Sequence, residues 1–348
     1  MEKLNFASDY MEGAHPKIME RLIETNFLAT AGYGLDEFSA SAKAKILAAC
    51  GAHGGEVYFL TGGTQTNAVA ITALLRPYQG AIAAKSGHIS LHEAGAIEAG
   101  GHKVFELPHQ QGKINAAEVE KFVADFMSDE NREHMVMPGM VYISQPTEYG
   151  TLYSLAELTA LHDVCQKYNL YLYIDGARLA YALASPANDV NLKDMAKLAD
   201  MFYIGGTKCG ALIGEALVIP KKNLIPHFFT IIKQRGALLA KGRLLGITFD
   251  ELFTDDLYMK IGHDAVRLAA KMQEIFERRG LKLYFPSPTN QVFVILPNGL
   301  MEKLAAEISF SFWEKYDENN TVVRLATSWA TTEENVTKLD TVLEKVLD

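Results

Sequence analysis

From about residue 56 to residue 220 the chain repeats one pattern, a short apolar run followed by a longer stretch with helical periodicity. The runs are Glu56–Leu60, Ala81–Ala84, Lys103–Leu107, Met140–Ser144, Tyr171–Ile174, Met201–Ile204 and Ala216–Ile219. Such alternation predicts βαβ units and an α/β fold built on a mostly parallel seven-stranded sheet. In the segment 154–169, Leu155, Leu158, Leu161, Cys165 and Tyr168 share one helical face. Ser154 with Glu157 three residues on fits a capping box, which satisfies two backbone donors at the helix start. The gap around Gly210–Glu215 is too short for a parallel crossover, so Ala216–Ile219 is expected to run antiparallel to the strand before it.

The pattern changes after about residue 250. A long helix over roughly 256–279, a strand at LKLYF, a strand at QVFVIL, a helix over 300–316, a strand at VVRLA and a last helix over 332–347 predict a smaller α+β unit. At about 150 residues per domain, 348 residues suggest two domains. The expected division is an N-terminal segment 1–45, a large domain 46–250 and a small C-terminal domain 251–348. The first 40 residues lack the βα pattern and are compatible with packing against either domain.

Composition excludes several classes. A hydrophobic share of 49% with 22% charged residues argues against intrinsic disorder. The net charge of −9, without a basic run, argues against nucleic acid as a partner. Cys50, Cys165 and Cys209 are odd in number and form no CxxC, which points away from a disulfide framework or zinc and fits a reducing cytoplasm. Neither a signal peptide nor an apolar run of membrane-spanning length is expected.

Four features fall at the C-terminal ends of predicted strands, where open α/β sheets bind ligands. In LTGGTQTN (60–67) two glycines precede a helix start, which suits an anion; by itself such a turn is often structural. In YIDGAR (173–178) Asp175 suits a helix N-cap or a carboxylate aimed at a cationic ligand nitrogen, and Arg178 suits a bidentate carboxylate contact. In YIGGTK (203–208) Lys208 is either a surface lysine or a partly desolvated amine able to attack a carbonyl. In SGHISLHE (86–93) His88 and His92 would share a helical face. HISLH lacks the HExxH glutamate and a third ligand, so no metal is expected; a flat imidazole suits stacking on an aromatic ligand. A phosphate, a ring nitrogen, a carbonyl and a flat face together describe pyridoxal phosphate.

These motifs resemble the low-specificity L-threonine aldolases, in the β-eliminating lyase group of pyridoxal phosphate enzymes. ASDY, GYGLDE, FLTGGTQTN, HISLHEAGA, IDGAR, IGGTKCGA and VVRLATSW match that family's segments in order along most of the chain. The resemblance implies the aspartate aminotransferase-like fold of pyridoxal phosphate-dependent transferases. It implies that Lys208 carries the cofactor, that Asp175 pairs with the ring nitrogen and that His88 stacks on the ring. Gly63 and Thr64, with Thr207 nearby, would bind the phosphate, and Ser8, Arg178 and Arg324 the substrate carboxylate. Tyr33, Arg235 and Lys241 would reach a neighbouring subunit's site, in a homodimer or homotetramer.

Two positions depart from the family pattern. The family's NTHNG reads PTEYG here, so Glu148 stands where a histidine is usual, and His92 stands where an aromatic residue is frequent. The exchange suggests that Glu148 and His92 share an acid–base task; a neutral substitution is the competing explanation. The reaction implied is retro-aldol cleavage of a β-hydroxy-α-amino acid, such as L-threonine or L-allo-threonine, to glycine and an aldehyde. β-Elimination would use the same lysine, aspartate and arginines, and transamination shares the fold. A non-enzymatic pyridoxal phosphate binder is disfavoured by the complete set of site residues.

Overall fold

The computed structural model describes residues 3–347. β1 (Leu4–Asn5) lies in the N-terminal segment. β2 (Glu56–Leu60), β3 (Gln79–Ala84), β4 (Val104–Leu107), β5 (Met137–Ser144), β6 (Tyr171–Asp175), β7 (Met201–Gly205) and β8 (Glu215–Ile219) form one sheet in the order β2-β8-β7-β6-β5-β3-β4. Pairs among β3 to β7 are parallel, whereas β8 runs antiparallel to both β7 and β2, as the short 210–215 gap requires. The expected helix spans Leu155–Tyr168. Ser154 Oγ accepts from the Glu157 N–H at 3.2 Å, and Glu157 Oε2 accepts from the Ser154 N–H at 2.8 Å. Asn169, at φ 56°, ends that helix in the left-handed region.

Period-two alternation along the strands divides the core between the two sheet faces. Val141, Ile143, Leu172, Ile174, Phe202 and Ile204 pack on one face. Tyr142, Tyr173, Tyr203, Leu217 and Ile219 pack on the other, together with Val69, Ala70 and Ile71 of the helix Gly63–Leu74. Three tyrosines therefore line up beneath the helix whose first turn follows the Gly62–Gly63 pair.

The C-terminal strands are β9 (Lys282–Leu283), β10 (Gln291–Pro297), β11 (Ile308–Ser309), β12 (Ser311–Lys315) and β13 (Asn320–Ala326). A four-stranded antiparallel sheet has the order β12-β13-β10-β9. The helix expected over 300–316 is corrected: it spans Asn298–Glu307, and β11 and β12 take its second half. From Ile308 the residues Ile308, Phe310 and Phe312 alternate with Ser309 and Ser311, a strand period that outweighs helical continuity. LKLYF is likewise shorter than expected, pairing only at Lys282 and Leu283.

The N-terminal segment meets both parts of the chain. β1 pairs in parallel with β11, and Phe6 joins the core of the C-terminal sheet. The helices Pro16–Glu24 and Glu37–Ala49 pack on the helix Arg243–Leu252. The backbone of Phe6 is held by Ser309 and Ala326, and the His15 N–H by the Gly210 carbonyl. Residues 7–9 are thereby fixed between β13 and the loop after β7.

Candidate active site

The loops after β6 and β7 touch backbone to backbone. The Gly205 N–H donates to the Gly176 carbonyl at 2.9 Å. A Cβ on Gly176 would stand 2.0 Å from the Tyr203 carbonyl oxygen, and one on Gly205 2.3 Å from that of Ala177. The glycines of IDGAR and IGGTK are thus what lets Asp175 and Lys208 share one crevice. The Gly214 N–H donates to Thr207 Oγ1 at 3.0 Å, and the Tyr181 hydroxyl donates to the Lys208 carbonyl; both fix the lysine loop.

Asp175 is buried and accepts four hydrogen bonds. Oδ1 takes the Tyr203 hydroxyl at 2.5 Å and the Ala177 N–H at 3.0 Å. Oδ2 takes the Tyr142 hydroxyl at 2.6 Å and Asn67 Nδ2 at 3.0 Å. Burial acts to raise its pKa, but the charge of His88 and the donated bonds outweigh that and hold the carboxyl below its usual range. Asn67 also donates to Glu93 Oε1 at 2.6 Å and accepts the Tyr173 hydroxyl at 2.9 Å. Glu93 Oε1 lies 2.7 Å from His88 Nδ1. Burial raises Glu93, and His88 with Asn67 opposes the shift.

Ser86, His88, His92, Glu148, Arg178, Lys208 and Arg324 line one cavity of about 490 Å³, together with Tyr10, Leu91, Tyr149 and β12 residues. The rings of His88 and His92 are 5.7 Å apart between centroids. Their environments drive them in opposite directions. Burial works against a charged His88, but Glu93, Glu148 and Asp175 raise its pKa above the ordinary imidazole value. Burial lowers His92; Glu148 opposes this, and the positive charges of His88, Arg324 and Lys208 add to it. One imidazole pushed toward its cation beside one pushed toward its neutral form is suited to divide proton donation and acceptance.

Ala7, Ser8 and Asp9 sit between the two arginines. Arg178 Nε and Nη2 are spent on Asp9, at 2.6 and 3.0 Å, leaving Nη1 4.0 Å from Glu148 Oε2. Burial acts to raise Asp9, but Arg178, Lys208 and Asn290 bring it down to about 2. Arg324 Nη2 donates to the Ala7 carbonyl at 3.2 Å and Nη1 to Gln291 Oε1 at 3.2 Å. Arg324 Nε, Ser8 Oγ and Ser86 Oγ are buried without a partner. Groups in that state cost free energy unless a ligand satisfies them.

Sequence reasoning placed Lys208, His88, His92, Glu148, Arg178 and Arg324 together, and they meet in the cavity. Gly63 lies beside it: a Cβ there would be 3.1 Å from the Tyr203 hydroxyl that binds Asp175. Thr64 is exposed in the first turn of the helix Gly63–Leu74. Tyr33, Arg235 and Lys241 are exposed and do not line this chain's own cavity. Among the described residues no group of three metal-ligating side chains occurs. Asp9, Asn67, Glu93, Tyr142 and Tyr203 were not anticipated. Asp9 and Glu93 were legible inside ASDY and HISLHE as acids beside a site residue; the tyrosines read only as apolar strand positions.

A lysine and an aspartate at neighbouring strand ends of a mostly parallel sheet are shared by many proteins, and comparison with known proteins narrows the choice. The family profile described as β-eliminating lyase matches residues 5–298. The chain is 31% identical to the low specificity L-threonine aldolase of Pseudomonas aeruginosa, over 96% of this chain and 95% of that one. The structure of a Leishmania major threonine aldolase superposes with a TM-score of 0.95 at 43% identity, covering 99% of both chains. An aspartate aminotransferase mutant of Thermus thermophilus, 16% identical with a TM-score of 0.71 over 99% of this chain and 92% of that one, shares the fold. The chain belongs to the β-eliminating lyase family and has the aspartate aminotransferase-like fold.

The family's cofactor is pyridoxal phosphate, and the residues fit it. The unpartnered Ser86 Oγ lies on the cavity wall with Lys208 and His88, and nothing stands within 4 Å of a Cβ built on Gly62 at the helix start. The N–H groups and dipole of a helix start suit an anion.

Proposed function

We propose that the protein cleaves a β-hydroxy-α-amino acid, L-threonine or L-allo-threonine, to glycine and an aldehyde. The observation that carries the reading is the pair of buried, unpartnered donors Ser8 Oγ and Arg324 Nε beside the Lys208 cavity. Both suit an α-carboxylate, and Arg178, steered by Asp9, presents its remaining Nη1 to the same cavity. Lys208 and Asp175 would hold the cofactor's carbonyl carbon and ring nitrogen, His88 its face, and Gly63, Thr64 and Thr207 its phosphate. Bound pyridoxal phosphate supplies the sink for the electron pair released when the Cα–Cβ bond breaks. The carboxylate clamp orients that bond, a positioning effect. His92, kept neutral by its surroundings, takes the β-hydroxyl proton, and Glu148 steadies the imidazolium that results. Return of a proton to Cα gives glycine.

Partner and compartment follow from the same reading. Tyr33, Arg235 and Lys241 would complete the site of a second copy in a homodimer or homotetramer. Support comes from Phe27, 98% exposed, and from a second cavity of about 340 Å³ lined by Tyr33, Leu35 and Phe229. No described helix is long and apolar enough to cross a membrane. A cytoplasmic setting is supported by three free, buried cysteines, whose thiols burial pushes up to about 12.

The test uses cofactor-loaded protein with L-threonine and L-allo-threonine, following acetaldehyde and glycine together. Equimolar release is expected; ammonia with a keto acid and no aldehyde would make the protein a β-eliminating enzyme instead. His92→Asn and Glu148→Gln should each lower kcat by about 10–100-fold and flatten its pH profile. Near-normal turnover in both variants would remove the acid–base pair from the mechanism.

A further inference from the structure

The large sheet holds a second buried carboxyl that the mechanism above does not use. Glu215 opens β8 and is only 3% exposed. It is the register partner of Leu60 on β2 and of Gly205 on β7, the strands that run on into the Gly62–Gly63 turn and into Lys208. Leu217 and Ile219 pack with the helix Gly63–Leu74, so strand alternation puts Glu215 on that same face. Its Oε2 accepts the Gly206 N–H at 2.9 Å. A carboxyl at this place ties the lysine loop to β8, whose neighbour β2 leads into the helix start.

The groups facing it give no compensating ion pair among the described residues. They are Lys208 and Cys209 on the loop, Tyr203 on β7, Asp175 and Tyr173 on β6, and Tyr258 on the helix Leu257–Arg278. Burial raises the carboxyl to about 7; Asp175 adds to the rise, while Gly206, Thr207 and Lys208 oppose it. The side chain is therefore neutral below that pH and anionic above it. Its register partner Leu60 lies two residues before Gly62, so an anion there puts negative charge on the strand beside the turn expected to take the phosphate, where like charges would repel.

We propose that Glu215 is a positioning residue for cofactor binding: its carboxyl braces the Gly206–Lys208 loop beside the phosphate end of the site, and its negative charge opposes the phosphate. The proposal rests on the assignment of pyridoxal phosphate and is independent of which bond the enzyme breaks.

The test titrates apoprotein with pyridoxal phosphate and with pyridoxal, reading visible absorbance, at several pH values from 6.5 to 8.5. Lys208 itself becomes more reactive as pH rises, so each Kd is compared with that of Glu215→Gln, which keeps an acceptor for the Gly206 N–H and loses the charge. For pyridoxal phosphate the wild-type to variant Kd ratio should rise on the order of tenfold across the range, as one linked proton allows. For pyridoxal, which has no phosphate, the ratio should stay within about twofold. Should the glutamine variant misfold, Glu215→Met supplies the same uncharged comparison, with thermal melting as the control. A flat ratio for pyridoxal phosphate overturns the proposal, and so does an equal rise for pyridoxal. Absence of cofactor absorbance in every protein would remove the cofactor assignment as well.

Discussion

The two ends of the site are finished to different degrees. Around Asp175 the protein supplies its own partners: four donated bonds from Tyr203, Ala177, Tyr142 and Asn67, with Glu93 and His88 continuing the network. Around Arg324 it leaves work undone, with Arg324 Nε and Ser8 Oγ buried and unpartnered. The Asp175 carboxylate has its bonds in place and resists rearrangement, with Glu93 Oε2 and Ser86 Oγ the atoms left open at that end; an unsatisfied buried donor gains from any ligand that reaches it. On the proposed function, the Asp175 carboxylate is prebuilt for a resident cofactor, and the Arg324 end is held in readiness for a substrate that exchanges. The Asp175 end, with Asp175 and Glu93, is the floor of the site, and the Arg324 end, with Arg178 and Arg324, is its rim.

The largest effect tests the floor. Asp175→Asn keeps the shape but replaces the charge with an amide, which donates toward the Tyr142 and Tyr203 hydroxyls or toward the ring nitrogen. Aldehyde release should fall in kcat/KM by at least about 10³-fold, and the visible spectrum of bound cofactor should change. A loss below about tenfold would mean that the floor's charge is not what the chemistry uses. The next effect tests the rim. Arg324→Ala removes a charge-assisted contact and should raise KM about 10–100-fold, leaving the cofactor spectrum unchanged. A spectral change equal to that of Asp175→Asn would erase the distinction between the two ends.

The floor and rim were unequally legible in the sequence. Asp175, Lys208 and the parallel sheet could be read because buried strands, glycine pairs and a charged residue at a strand end coincide in short windows. Arg324 and Ser8 came only through motif resemblance, since 316 positions separate them (324 − 8) and no local rule links them. The network beneath Asp175 was invisible for another reason. Tyr142, Tyr173 and Tyr203 satisfy an apolar strand pattern with their rings, and only the three-dimensional alignment of three strands shows their hydroxyls converging. The 300–316 segment shows a similar limit: its last part carries a strand period too short to stand out until β13 is there to pair with it.

The smallest effect at working pH concerns the support of the rim, where Asp9 binds both Arg178 and Asn290 and is held near 2. Its ordinary carboxyl value is 3.8. A folded-state pKa below the unfolded one contributes stability that is present above the unfolded value and is lost as pH falls through the folded one. The difference corresponds to about 2 kcal/mol, disappearing between about pH 5 and pH 2. Asp9→Asn lacks this titration, so its urea unfolding free energy should lie below that of wild type at pH 6, with the gap narrowing by about 1 kcal/mol by pH 3 and by the remainder toward pH 2. If the two curves stay parallel, Asp9 contributes shape alone to Arg178, and the ionic support of the rim is wrong. A narrowing gap together with a raised KM at pH 7 would instead make Asp9 the residue through which the prebuilt framework aims the open rim.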